Sequence, residues 1–179
     1  MLPIARVRLP WLITTLFGSL ISGGLITLYA GVLKDAMVLV AFIPVIAAMG
    51  GNVGTQSATI LTRGLATGRI GMADVAGILF REFRVGLVMG AICGSVVGGT
   101  GMFLFGDGNL VLGLVVFLAM TASMTAAATV GALAPAAMKR AGVDPAIASG
   151  PFVTTANDIV GIVIFMSTAL VFLDYLKKP

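Results

Sequence analysis

The chain has 179 residues, 59% of them hydrophobic and 10% charged, with a mean hydropathy of +1.12. Soluble domains carry about 45–50% apolar and about 25% charged residues, so this composition excludes an ordinary water-soluble globule and points to an integral membrane protein. The absence of histidine and the single cysteine exclude a Ser-His-Asp triad, His/Cys zinc sites, iron–sulfur clusters and internal disulfides.

No P-loop pattern is present to hold ATP phosphates. The net charge is +4, but the basic residues lie between apolar runs without interleaved aromatics, so no nucleic-acid partner is expected. An enzyme is not expected either, because the carboxylates are isolated from any nucleophile.

A bilayer core needs about 20 apolar residues per helix. Five segments qualify, at residues 11–33, 36–62, 75–105, 110–138 and 145–173, so the predicted fold is an all-α membrane domain of five transmembrane helices filling 1–179. The first span lacks an A-x-A-like cleavage site and is read as a helix, not a signal peptide.

The second span holds Pro44 and then Gly50-Gly51-Asn52-Val53-Gly54-Thr55-Gln56, which predicts a break or bend about halfway along. Broken helices at membrane depth occur where they line a cavity or are buried in protein. Asn52, Gln56 and Thr59 share one face, and Asn52, Thr55 and Gln56 are candidate pore-lining residues. The alternative is interhelical hydrogen bonding without ion contact. Residues 63–73 read as a short interfacial loop.

The third span carries Arg81, Glu82 and Arg84 in its first turns, so its buried part is expected to begin near Val85, with Glu82 in a local ion pair. Gly86, Gly90, Gly94 and Gly98 recur at four-residue spacing and form a small face for close helix packing. Cys93 beside it reads as a small apolar side chain. In the fourth span, Ala119, Ser123, Ala127, Gly131 and Pro135 make a similar stripe. Thr121, Thr125 and Thr129 are expected to bond back to their own helix.

Six of the seven acidic residues sit at span ends or on the cytoplasmic side: Asp35, Asp74, Glu82, Asp107, Asp144 and Asp174. Asp144 before Pro145 reads as an N-cap with proline at the first helical position. Asp158 differs. It lies about 13 residues into the fifth span, hence about 20 Å along the helix and near mid-membrane. An ionised carboxylate there costs several kcal/mol unless it meets water, a cation or a partner.

No lysine or arginine shares that depth, so Asp158 is read as facing a cation pathway; the alternative is a protonated Asp158 bonded to a neighbouring helix. Gly150, Thr154, Asp158 and Gly161 fall on one helix face. Pro151 removes a backbone donor and frees the carbonyl near Ile147. Carboxylate and carbonyl oxygens suit Mg2+ or Ca2+.

With the N-terminus inside, the cytoplasmic side holds Arg6, Arg8, Arg63, Arg69, Arg81, Arg84, Lys139 and Arg140, against Lys34, Lys177 and Lys178 outside. That bias places the N-terminus in the cytoplasm and the C-terminus outside the cell membrane.

Residues 44–56 (PVIAAMGGNVGTQ), continuing as SATILTRGLATG, resemble the second transmembrane helix of the MgtE magnesium channels. Residues 144–161 (DPAIASGPFVTTANDIVG) resemble the fifth, and Arg8-Leu9-Pro10-Trp11-Leu12 resembles the start of that membrane domain. The resemblance covers essentially the whole chain. It implies a homodimer with a pore at or near the two-fold axis and Mg2+ influx, with Co2+, Mn2+ or Ni2+ as further passengers. The family's pore aspartate falls on Asp158, its neighbouring carbonyl ligand position on Thr154, and its helix-two asparagine on Asn52. Gly150 stands where many members carry asparagine, so no side-chain contact is expected there. Many members also carry a cytoplasmic acidic domain and a CBS pair, and neither is found in these 179 residues.

The implied mechanism is a channel-type importer in which two Asp158 carboxylates hold a largely hydrated Mg2+. The rivals are a secondary transporter exchanging Mg2+ for Na+ or H+ and, from another class, a non-transporting membrane scaffold.

Overall fold

The computed structural model describes residues 2–105 and 108–176. Asp107, Lys177 and Lys178, all used in the charge reading, lie outside the described residues. The chain folds as α1 (Leu2–Leu28), α2 (Ala30–Asp35), a 3-10 segment (Met37–Phe42), α3 (Ile43–Ala66), α4 (Val75–Phe105), α5 (Leu110–Arg140), α6 (Pro145–Val171) and α7 (Leu173–Leu176). Five stretches are long and apolar enough to cross a bilayer: Leu9–Leu28, Met37–Ala66, Val75–Phe105, Leu110–Arg140 and Gly150–Val171. No strand occurs among the described residues.

The helix ends follow local chemistry. Asn109 caps α5, its Oδ1 accepting from the amides of Val111 and Leu112. Asp144 caps α6 by accepting from Ala146, with Pro145 directly after it. Gly68 and Gly142 turn the chain between spans with φ of +68° and +74°, a region open to glycine at little cost.

α5 sits at the centre, with α4, α3 and α6 packed around it, and α1 lies outside against α6. The core runs the length of the bundle. Leu39, Phe42, Leu112, Val116, Phe165 and Met166 fill one end, and Leu61, Leu65, Val75, Ala132 and Ala136 the other. α1 turns Leu12, Leu16, Phe17, Leu20 and Ile21 outward, as lipid contact requires.

The expected break in the second span is not found. α3 is one continuous helix from Ile43 to Ala66, and the irregularity lies upstream, in the 3-10 segment that ends just before Pro44. The glycines of α3 stay helical, and Gly54 serves close approach instead. A Cβ on Gly131 of α5 would overlap the backbone of Gly54, so the two helices touch main chain to main chain. α4 is already packed against protein before Val85, with Val75 and Glu82 buried in the bundle.

Candidate functional site: a polar face on two crossing helices

α3 divides into two stripes. Gly50, Val53, Gly54, Ser57 and Leu61 are buried, whereas Asn52, Thr55, Gln56 and Thr59 are exposed. Both sets follow helical spacing, so one face packs and the other is left open. Thr59 returns its hydroxyl to the Thr55 carbonyl at 2.8 Å, while the amide side chains of Asn52 and Gln56 stay outward.

α6 divides in the same way. Val153, Asn157 and Gly161 are buried, and Gly150, Thr154 and Asp158 beside them are half-buried. The Thr154 hydroxyl donates to the Gly150 carbonyl at 2.6 Å, back-bonding within its own helix. Gly161 is buried and its carbonyl accepts from Ser123 of α5 at 3.5 Å, yet a Cβ there would meet nothing within 4 Å, so the direction a side chain would take stays open.

The two helices cross closely at this level. A Cβ on Gly51 would stand 3.7 Å from the Thr154 methyl group. The Asn157 side chain donates from Nδ2 to the Gly50 carbonyl at 3.3 Å and lies over Gly54, where a Cβ would overlap it. These contacts bring Asp158 to the depth of Asn52, midway along both spans. Sequence reading missed Asn157. Its signal was the i+4 spacing from Val153, a position that faces protein wherever Asp158 faces water.

Among the described residues no three acidic, cysteine or histidine side chains cluster as a chelate. A cation at Asp158 would therefore meet one carboxylate per chain, with amide, hydroxyl and carbonyl oxygens around it. Such a set orients a hydrated divalent ion more readily than it strips one.

Away from this face, Gly86, Gly90, Gly94 and Gly98 of α4 lie against Thr125, Thr121, Phe117 and Gly113 of the antiparallel α5. Thr121, Thr125 and Thr129 each donate to the carbonyl four residues back, at 2.7–2.8 Å. Glu82 is 5% exposed and accepts a 2.8 Å hydrogen bond from Ser57 of α3. Its ion pair with Arg81 is present at 3.6 Å, but the more intimate partner comes from another helix.

A bundle of five helices long and apolar enough to cross a bilayer, with a carboxylate and amides midway along two of them, defines a polytopic membrane protein. The family model described as "MgtE: Divalent cation transporter" matches residues 43–168, and the chain belongs to that family. It is a family of transporters, not of enzymes. The chain is 37% identical over 169 residues to the magnesium transporter MgtE of Bacillus subtilis, covering 94% of this chain and 37% of that protein. It is 38% identical over 176 residues to the Enterococcus faecalis protein of the same name, covering 97% and 38%. The Thermus thermophilus magnesium transporter MgtE is 33% identical over 171 residues, covering 96% and 37%. The chain thus spans a little over a third of the length of these relatives.

Proposed function

We propose that residues 1–179 form a single membrane domain that conducts Mg2+ into the cell as a homodimer, with Asp158 in the ion path. One observation carries this reading. α3 leaves Asn52, Thr55 and Gln56 exposed at mid-span beside the half-buried Asp158 of α6. Hydrocarbon cannot satisfy those groups, so this face needs water, an ion or a second protein surface. A two-fold copy supplies the surface, and the passage between copies supplies the water.

In this reading Asp158 binds a largely hydrated Mg2+, and the carbonyls near Thr154 and the Asn52 and Gln56 amides contact its water shell. Gly150 keeps the wall open. A water-mediated site is weak enough for the ion to leave, as conduction requires. An inward potential gives a divalent ion about 4.6 kcal/mol per 100 mV, twice the single-charge value, which suffices for uptake without ATP. The positive-inside bias puts the N-terminus in the cytoplasm and the C-terminus outside the cell membrane. The relatives' names support Mg2+ as the cargo.

The test is Mg2+ entry into liposomes carrying the purified chain or its Asp158→Asn variant, under an imposed voltage and without pH or Na+ gradients. Voltage-driven entry that the variant loses is the expected result. Equal entry in both removes Asp158 from the path. Entry that needs a Na+ or proton gradient replaces the channel with an exchanger.

A further inference from the structure

We infer that Asn157 is a positioning residue: it pins the register of α6 against α3 and so sets where the Asp158 carboxylate stands in the passage. The inference rests on the reading of Asp158 as the ion-path residue. Asn157 is only 3% exposed, and it is the one carboxamide among the buried polar side chains of the described residues. An apolar residue of similar size would pack there without the penalty of burying an amide. The amide is instead used across the helix pair, Nδ2 donating to the Gly50 carbonyl at 3.3 Å.

The surroundings are shaped to it. A Cβ on Gly54 would overlap the Asn157 Nδ2, and a Cβ on Gly131 would overlap the Gly54 backbone. α3 is thus cut down to glycine beneath the Asn157 side chain, and α5 to glycine where it meets the Gly54 backbone. Sliding α6 by one residue along α3 would take Asn157 off the Gly50 carbonyl and drive it into the helix beside Gly54. A leucine at the same place would fill space yet tolerate a shift, because apolar contact is not directional. The Asn157 Oδ1 is buried without a protein partner among the described residues, so the amide commits one end to α3 and gains nothing from any other protein group. Asp158 follows Asn157 directly and is carried by the same turn. Fixing one fixes the other.

Two measurements test this. The first reads register without transport. In a Cys93→Ser background, Gly51→Cys and Thr154→Cys place thiols across the α3–α6 crossing, where the Gly51 Cβ position lies 3.7 Å from the Thr154 methyl. Disulfide formation should slow about tenfold when Asn157→Ala is added, the scale expected for losing one buried hydrogen bond. An unchanged rate overturns the inference.

The second reads function in liposomes. Asn157→Ala should raise the Mg2+ half-saturation of entry more than it lowers maximal entry. The pair Gly54→Ala/Asn157→Ala refills the cradle with a methyl group. It should keep the raised half-saturation. If the refilled variant regains wild-type half-saturation, or if Asn157→Ala never alters it, Asn157 is packing alone and the inference fails. Failure of the underlying ion-path reading shows separately, as Asp158→Asn that conducts like wild type.

Discussion

Ser57→Ala should destabilise the bundle by more than its lost volume explains, because it strands the Glu82 carboxylate. Glu82 and Ser57 are 5% and 3% exposed and joined by a 2.8 Å hydrogen bond between α4 and α3. Arg81 stands 3.6 Å from the other carboxylate oxygen, but its side chain is 62% exposed, so solvent screens that pair to about 0–1 kcal/mol. The serine is therefore the main compensation for burial. Removing it should cost about 1.5–3 kcal/mol, the range for hydrogen bonds to charged groups. The same Ser57→Ala change in a Glu82→Met background should cost little, because replacing a buried ion with an apolar side chain of similar size is often neutral or stabilising. Unfolding by sodium dodecyl sulfate in mixed micelles, followed by circular dichroism, measures all four corners of this cycle. The reasoning is refuted if Ser57→Ala lies within about 0.5 kcal/mol of wild type, the scale of an ordinary surface change. Equal losses in the wild-type and Glu82→Met backgrounds refute it as well.

Two further predictions concern the scaffold. Gly90→Ala should cost about 1–3 kcal/mol in the same assay, because its Cβ would stand 2.8 Å from the Thr121 Cα and force two backbones apart. Gly99→Ala, on the same helix but with nothing within 4 Å of its Cβ, should stay within about 0.5 kcal/mol. Asn109→Ala removes the acceptor for two amides at the start of α5 and should lower stability by about 1 kcal/mol, read as an earlier thermal transition.

The helices were legible because the bilayer imposes one rule, a run of apolar residues long enough to cross. Five spans follow from that rule with errors only at their ends, as where α3 continues to Ala66 beyond the expected 62. Asp158 stood out as a candidate for the converse reason: a lone carboxylate is conspicuous against an apolar background. What failed was the reading of glycine. Gly50-Gly51 in a soluble helix would argue for a break, since glycine is disfavoured there by about 1 kcal/mol. In α3 the same residues stay helical, and the close approach falls one turn later, where Gly54 admits Asn157 and the α5 backbone. Asn157 and Glu82 were hidden by distance along the chain. Their partners lie 107 and 25 residues away, so no local window contains both ends of either bond.

The two stripes on each helix explain why close packing and the polar face occur together. On α3 the buried Gly50 and Gly54 flank the exposed Asn52, and on α6 the buried Asn157 adjoins the half-buried Asp158. Drawing the buried stripes together necessarily draws the polar stripes to the same edge of the crossing. A hydrated ion is held by many weak contacts to its water shell, so their mutual spacing decides which ion fits better than any single contact does. Flexible packing would blur that spacing. A crossing closed by glycine on α3 and α5 and by a directional amide on α6 holds it, because helix separation and helix register are then set by backbone contact and by one hydrogen bond. In the proposed conduit, discrimination among divalent ions therefore resides as much in the buried side of α3 and α6 as in the oxygen atoms that face the ion.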